Sequence, residues 1–419
     1  MGDARPGEDR TQTGQDRPPA DPMKIRLVAA VAAGVLLAGC GSGTSTMERA
    51  TINDRGCITS FDPGTDYFPN KSTLKHAKNF SVRYEKSYQV LTVHEPTPGA
   101  EPESYVLVRC GAPDPHLPGA LSSAPKVQVP IQTLYSASTT HLPLLVDLGK
   151  VGILTGVSNA SFVSGKDVLD RINAGTVTEY APNQQVNVEQ VVAAQPDVLI
   201  TGGTDDPAYG PLRAAGITVL ANTEYRESSP LGRAEWIKYM AALTSSERKA
   251  AEVFDRIERD YRTIAATAAN AGPRTPLALG TMTQGVWYVA SGGSYVGRLI
   301  ADAGGSYPWE DDLKTGSLQL SFETVFAEAG AAPIWLVIQA TWKSKADALA
   351  ADPRYGELTA MKSGQVWSAN KVLGPGGGND YYERGVTRPD LVLADLVAIL
   401  HPDLLPDHEF SFYQRLADR

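Results

Sequence analysis

Apolar residues recur every three or four positions from Ala250 to Ala268, through Val253, Phe254, Ile257, Tyr261, Ile264 and Ala265. That spacing is the stripe of an amphipathic helix. Gly272-Pro273 beyond it is a stop signal. Upstream, Trp236, Met240 and Leu243 form the apolar face of a shorter helix in a stretch that opens at Pro230, and Thr244-Ser-Ser-Glu247 reads as a capping box for the longer one. A helix of about 26 residues would run roughly 39 Å, long enough to cross a small domain.

On either side the pattern alternates between short buried runs and helical stripes. Before the long helix, runs at 127–131, 151–157, 197–200 and 217–220 read as strands, with helices at 142–148, 168–172, 187–194 and 212–215 between them. After it, strands are expected at 277–280, 286–289, 334–338 and 366–368, and helices at 295–303, 321–329 and 389–400, the last of them amphipathic. Strands alternating with helices imply parallel sheets with crossover connections. One local pattern occurs once on each side. Asn187-Val-Glu-Gln-Val-Val-Ala193 precedes one buried strand, and Ser321-Phe-Glu-Thr-Val-Phe-Ala327 precedes another. The expected fold is therefore α/β, two lobes with parallel sheets joined by one long linker helix, plus a small N-terminal β extension.

The N-terminal part reads differently. Residues 1–22 are polar, with no apolar period, and are expected to be a disordered extension. Met23-Lys-Ile-Arg26, an apolar run to Ala38 and then Gly39-Cys40 have the layout of a signal peptide. Leu37-Ala-Gly-Cys40 resembles the bacterial lipobox, which makes Cys40 the expected lipidation site, 23–39 the cleaved segment and Met23 a candidate start. The run is too short to span the hydrocarbon of a bilayer. A polar tether follows over 40–56. Cys57 and Cys110 then form an even pair, which outside the cytoplasm reads as a disulfide; two buried thiols are the alternative. Strand-like segments at 80–93 and 105–108 place a β extension over 57–125, ahead of an N-terminal lobe (126–229), the linker helices (230–272) and a C-terminal lobe (273–419).

Composition adds bounds. The 42% hydrophobic and 20% charged residues are globular values, and a net charge of −9 without a basic cluster past the N-terminus argues against nucleic acid as a partner. No catalytic set is evident: there is no Gly-x-Ser-x-Gly, no His-Glu-x-x-His and no Walker loop. Gly374-Pro-Gly-Gly-Gly378 reads as a loop, and three cysteines with six histidines leave little for a soft-metal site. No catalytic residue, metal site or resident cofactor is expected.

What remains is aromatic and polar material at strand ends, where open α/β sheets bind ligands. The candidate ligand-binding residues are His141, Ser158, Tyr225, Arg226, Trp287, Tyr295, Trp309 and Trp342. Trp236, Trp335 and Trp367 lie inside regular elements and are assigned to core.

Taken together, the lipobox, the two lobes around one long helix and the Glu-led helix in each lobe resemble the rigid-helix class of ABC-transporter solute-binding proteins. That group takes ferric siderophores, haem and cobalamin. Tyr225, Pro230-Leu-Gly-Arg-Ala-Glu-Trp-Ile-Lys238, Gly293-Ser-Tyr295, Asp302-Ala-Gly-Gly305 and Gly377-Gly-Asn-Asp-Tyr381 look like sequences from its iron-complex branch. The resemblance covers about residues 125–405 and implies that Glu189 and Glu323 engage Arg residues of the permease. A Glu in a helix's first turn also suits the helix dipole wherever it lies.

The expectation is then a monomeric lipoprotein, lipid-anchored on the extracytoplasmic face of the cell membrane. It would capture an Fe(III) complex of the siderophore type between the lobes and pass it to an ABC permease and its ATPase. Cobalamin and haem are the alternatives within the class, with His141 a possible axial ligand. A direct zinc or manganese binder, an orphan sensor on the same fold and an extracytoplasmic hydrolase are the competing readings.

Overall fold

In a computed structural model, residues 52–418 are described. The expected disordered extension, signal peptide and Cys40 lie outside them, as does most of the tether. Residues 49–419 form one unit.

The first element is a sheet of four strands, β1 (Phe80–Tyr84), β2 (Tyr88–Val93), β3 (Glu103–Arg109) and β4 (Lys126–Val129). The first three pair antiparallel, and β4 joins β3 in parallel. Cys57 and Cys110 are joined in a disulfide that ties the start of this extension to the end of β3. The run at 127–131, expected to open the N-terminal lobe, thus belongs to the extension sheet. Val127 and Val129 face the core it shares with Leu107, while Pro130, which has no N–H to donate, ends the ladder.

The N-terminal lobe is a five-stranded parallel sheet. Its elements are β5 (Leu134–Ser136), α1 (Leu142–Asp147), β6 (Leu154–Val157), α2 (Lys166–Asn173), β7 (Thr178–Glu179), α3 (Val188–Ala194), β8 (Val198–Ile200), α4 (Tyr209–Ala214) and β9 (Val219–Leu220). The strand order is β7-β6-β5-β8-β9. All three residues of β8 are buried, which accounts for a continuous apolar run. Asn187 caps α3 by accepting the Gln190 N–H, as the sequence pattern implied.

Three helices connect the lobes: α5 (Pro230–Ala234), α6 (Ile237–Thr244) and α7 (Glu247–Ala269). The last is unbroken over 23 residues, about 35 Å. It buries Ala250, Val253, Phe254, Ile257, Tyr261 and Ala268, the stripe read from the sequence. The capping box does not form. Thr244 is the last residue of α6 and donates its hydroxyl to the Met240 carbonyl, while Ser245 turns into the left-handed region and Ser246 takes the N-cap place with its hydroxyl donated back to the Thr244 carbonyl at 3.2 Å rather than turned onto α7. Glu247 is drawn inward toward Gln89 instead.

The C-terminal lobe has β10 (Thr275–Leu279), β11 (Thr281–Thr283), β12 (Val286–Ala290), α8 (Tyr295–Asp302), β13 (Gly305–Ser306), β14 (Ser317–Leu320), α9 (Phe322–Ala329), β15 (Ile334–Val337), α10 (Lys345–Ala351), α11 (Thr359–Ser363), β16 (Val366–Ser368), α12 (Pro389–Leu400) and β17 (Gln414–Arg415). Its main sheet runs β13-β10-β15-β16-β17, parallel but for β17, and a separate antiparallel sheet runs β11-β12-β14. Ser321 caps α9 as Asn187 caps α3. The helix at 389–400, expected to be amphipathic, is buried around nearly its whole circumference. It packs between α7 and α8, so no face is left for water. The buried Asp395 is satisfied by His408 and by the backbone N–H groups of Ser411, Phe412 and Tyr413.

The lobes meet along a seam. The loop 374–378 lies backbone to backbone on residues 161–163; a Cβ at Gly374 would stand 2.1 Å from the Val163 carbonyl oxygen, and one at Gly378 would stand 2.1 Å from that of Phe162. The glycines are there because the chains touch.

Candidate functional site

The carboxyl ends of β10 and β15 open into a cavity of about 380 Å³. Its floor is Leu279-Gly280-Thr281 and Val337-Ile338-Gln339. One wall is Tyr288 from β12, another is Tyr295 at the start of α8. Tyr381 and Tyr382 come from a single turn of π-helix (Tyr381–Gly385), Tyr413 from the segment before β17, and Arg233 from the connector. Five tyrosines and one guanidinium thus surround a floor that mixes Leu279, Val337 and Ile338 with Thr281 and Gln339, and among the described residues no His, Cys, Asp or Glu lines it.

Local structure explains each placement. In β12, successive side chains point to opposite faces, so Trp287 is fully buried while Tyr288 is 40% exposed. Ser294 caps α8 and accepts the Gly297 N–H, which fixes Tyr295 in the first turn. The Tyr295 hydroxyl donates to the Gly385 carbonyl, and the Arg233 guanidinium lies over its ring at 4.8 Å. Arg233 also donates to the buried Glu224 of the N-terminal lobe at 3.2 Å, so it touches both halves. Burial pushes the Tyr295 hydroxyl up to about 12, against the opposing pull of Arg233. Burial likewise raises Tyr381, Tyr382 and Tyr413. In the metal-free protein at neutral pH these hydroxyls keep their protons.

Several residues expected to meet ligand lie elsewhere. His141 has no exposure to water; its Nδ1 faces the Ser136 hydroxyl at 2.8 Å, and burial lowers its pKa to about 4. With no exposure the imidazole presents nothing to the cavity, although its segment, just past the carboxyl end of β5, lies against the π-helical turn of the other lobe. Trp287 donates its indole N–H to the Leu279 carbonyl and packs with Trp335, Tyr355 and Phe322; Trp342 belongs to the same cluster. Both are core, because tilted and edge-on indoles packed together bury more apolar area there than a cleft wall would. Arg226 forms an ion pair with Glu95 at 2.6 Å and so fastens the extension to the lobe. Trp309, half-buried, packs against the core outside the cavity. Ser158 and Tyr225 follow the carboxyl ends of β6 and β9, also outside it, bonded to the carbonyls of Ala137 and Gly203. Of the eight candidates, only Tyr295 lines the cavity.

Glu189 and Glu323 are both exposed in the first turns of α3 and α9, and Glu323 pairs with Arg354 at 3.2 Å. Among the described residues, no group of three or more His, Cys, Asp or Glu side chains is placed to hold a metal ion, and no helix is long and apolar enough to cross a membrane. A wider groove of about 830 Å³ runs along α7, but it is walled by paired charges such as Lys75 and Glu258 and takes in no strand of either lobe.

The two-lobed plan with its helical connector has matches among known proteins. Residues 133–373 match the periplasmic binding protein family. The chain belongs to that family. This periplasmic binding protein is 26% identical to an uncharacterized lipoprotein of Methanocaldococcus jannaschii over 90% of its own chain and 94% of the relative, and 22% identical to a second over 94% and 99%. Three solved structures share its fold. A periplasmic solute binding protein from Veillonella parvula matches with a TM-score of 0.52 at 16% identity, covering 67% of this chain and 84% of that one. A periplasmic heme binding protein from Pseudomonas aeruginosa gives 0.51 at 19%, covering 69% and 99%. A possible iron-binding (periplasmic solute-binding) protein from Staphylococcus epidermidis gives 0.50 at 17%, covering 65% and 99%. The family's members bind solutes and are not enzymes.

The candidate set left out Tyr381, Tyr382, Tyr413 and Arg233, and of the aromatic pair in β12 it took Trp287 rather than Tyr288. Two signals were available. The alternation in Val286-Trp-Tyr-Val289 requires one aromatic to face away from the core, and Gly377-Gly-Asn-Asp-Tyr381 ends on a cavity residue.

Proposed function

We propose that this periplasmic binding protein captures an iron chelate of the ferric-siderophore class in the tyrosine-lined cavity and delivers it to an ABC permease and its ATPase. One observation carries the reading: the cavity offers tyrosine hydroxyls and flat faces but no imidazole, thiolate or carboxylate of its own. Bare zinc or manganese needs a set of imidazole or carboxylate donors. A metal that arrives already wrapped by an organic chelator does not. Aromatic walls give a rigid chelate contact area, and Arg233, its charge paired with Glu224, adds a guanidinium edge to the wall. The iron-binding description of the Staphylococcus epidermidis neighbour agrees with this reading.

In this reading Cys40 carries the lipid anchor and the protein works as a monomer on the extracytoplasmic face; the lipoprotein names of both archaeal relatives support the anchor. Glu189 and Glu323 dock the permease, one from each lobe.

Intrinsic tryptophan fluorescence tests the ligand. Trp335 donates to the Gly280 carbonyl at 2.8 Å, directly behind the cavity floor, so occupancy should perturb its emission. Titration with ferric tris-catecholate and tris-hydroxamate chelates, haemin, cyanocobalamin, and free ferric and zinc ions should give saturable quenching with a ferric chelate alone. Saturation by haemin, cobalamin or zinc, or by none of the panel, overturns the proposal.

A further inference from the structure

The seam between the lobes contains one side chain whose position the cavity does not explain. Glu383 belongs to the C-terminal lobe, in the same π-helical turn as Tyr381 and Tyr382, yet its carboxylate enters the N-terminal lobe. Oε2 accepts the Ser164 N–H at 2.6 Å and the Ser164 hydroxyl at 2.8 Å, while Oε1 accepts the Gly165 N–H at 3.1 Å. Gly165 is the N-cap of α2, so a carboxylate from one lobe caps a helix of the other. The fit is close: a Cβ at Gly165 would stand 2.6 Å from Oε1. Glu383 is 2% exposed, and three donors meet its two oxygens.

The turn around it is held from both sides. On the ligand side, Tyr381 and Tyr382 line the cavity and the Gly385 carbonyl receives the Tyr295 hydroxyl. On the seam side, the Gly378 N–H donates to the Ser161 carbonyl at 3.2 Å, and Asp380 is braced by Arg384 at 2.8 Å. A single turn of π-helix is rare and often occurs at functional sites. Its geometry depends on what anchors it from either side.

We infer that Glu383 is a positioning residue for the bound ligand: by capping α2 across the seam it fixes the turn that presents Tyr381 and Tyr382 to the cavity and keeps the two lobes closed on it. The inference rests on the reading of that cavity as the ligand site. A ligand touching the two tyrosines and the seam then stabilise the same turn, so losing the seam should speed ligand release more than it slows capture.

The test uses the full chain with Glu383→Gln, which keeps the side-chain shape but replaces one acceptor oxygen with a donor, and Ser164→Ala, which removes a single hydroxyl. Hydrogen exchange followed by mass spectrometry reports protection in peptides 160–170 and 376–388. Stopped-flow fluorescence reports release of whichever ferric chelate the wild type binds. The expected result for Glu383→Gln is lost protection in both peptides, unchanged protection in α12, and release at least tenfold faster; Ser164→Ala should lie between it and wild type. Unchanged protection at 160–170, or lost protection with unchanged release, overturns the inference. A wild type that binds none of the chelates overturns the cavity reading itself, which the variants do not enter.

Discussion

Glu235 and Lys238, one helical turn apart on the connector, form an ion pair of 2.6 Å with almost no exposure to water. The Glu235 carboxylate also accepts the backbone N–H groups of Lys75, His76 and Ala77, and the Lys238 ammonium reaches the Thr73 carbonyl. Glu227 does the same for Lys78 and Asn79. The N-terminal extension is thus fastened to the connector by buried carboxylates that meet its main chain. Removing one partner of a buried pair leaves the other uncompensated, typically at a cost of about 3–5 kcal/mol. Glu235→Ala should therefore lower the thermal midpoint sharply, as read by calorimetry. A shift no larger than that of a surface carboxylate such as Asp170→Ala would show that the pair holds nothing.

Strand alternation gives a matched pair of variants. Tyr288 faces the cavity and Trp287 the core, one residue apart in β12. Tyr288→Ala should weaken ligand binding with little change in melting. Trp287→Ala should cost about 3–5 kcal/mol of stability through the cavity it leaves. Equal melting shifts for the two would contradict the facing assigned here.

Two buried groups tilt stability with pH in opposite directions. Burial raises the Glu247 carboxyl to about 7 from 4.5, with the backbone, Arg109 and Gln89 opposing. The folded state then holds the proton more tightly than the unfolded chain, so this group's contribution falls as pH rises from about 4.5 to 7. Burial lowers His141 to about 4 from 6.5, so its contribution falls as pH drops from about 6.5 to 4. Each spans roughly 3 kcal/mol at about 1.4 kcal/mol per unit. Glu247→Gln should raise stability at pH 8 relative to wild type and leave it nearly unchanged at pH 4. His141→Asn should flatten the acid side. Denaturant titrations across pH 4–8 would reveal either slope or its absence.

The disulfide between Cys57 and Cys110 closes a segment of 53 residues. Cross-linking a loop of that size removes unfolded-state freedom worth about 4 kcal/mol. The Cys57→Ser, Cys110→Ser double variant should melt lower, with its first loss of amide protection in β1–β3. Intact protection of those strands in the variant would show that packing alone holds the extension.

Docking has a test separate from ligand binding. Changing Glu189 and Glu323 together to Ala should abolish uptake in cells while leaving chelate affinity intact, because both side chains are exposed and neither lines the cavity. Undiminished uptake would remove the docking assignment.

Much of this architecture was legible in the chain itself. The 3.6-residue stripe on α7, the all-apolar runs of β8 and β15, and the Asn187 and Ser321 caps are local signals, and local periodicity survives in any tertiary setting that buries the same face. They sufficed for two parallel-sheet lobes on a helical connector. Facing and partnership were not legible. Whether Trp287 or Tyr288 meets the cavity depends on which side of a three-stranded sheet the core lies, and either choice satisfies a period of two. His141, Arg226 and Trp342 carry the residue types of a binding site, yet their roles were decided by packing: the imidazole is shut from water against Ser136 at the end of β5, the guanidinium meets Glu95 in the extension, and the indole packs on Trp335 in the core. Glu383 is the clearest case. Nothing near it in the chain marks a carboxylate as the cap of a helix more than two hundred residues earlier, because that bond exists only once the two lobes have met.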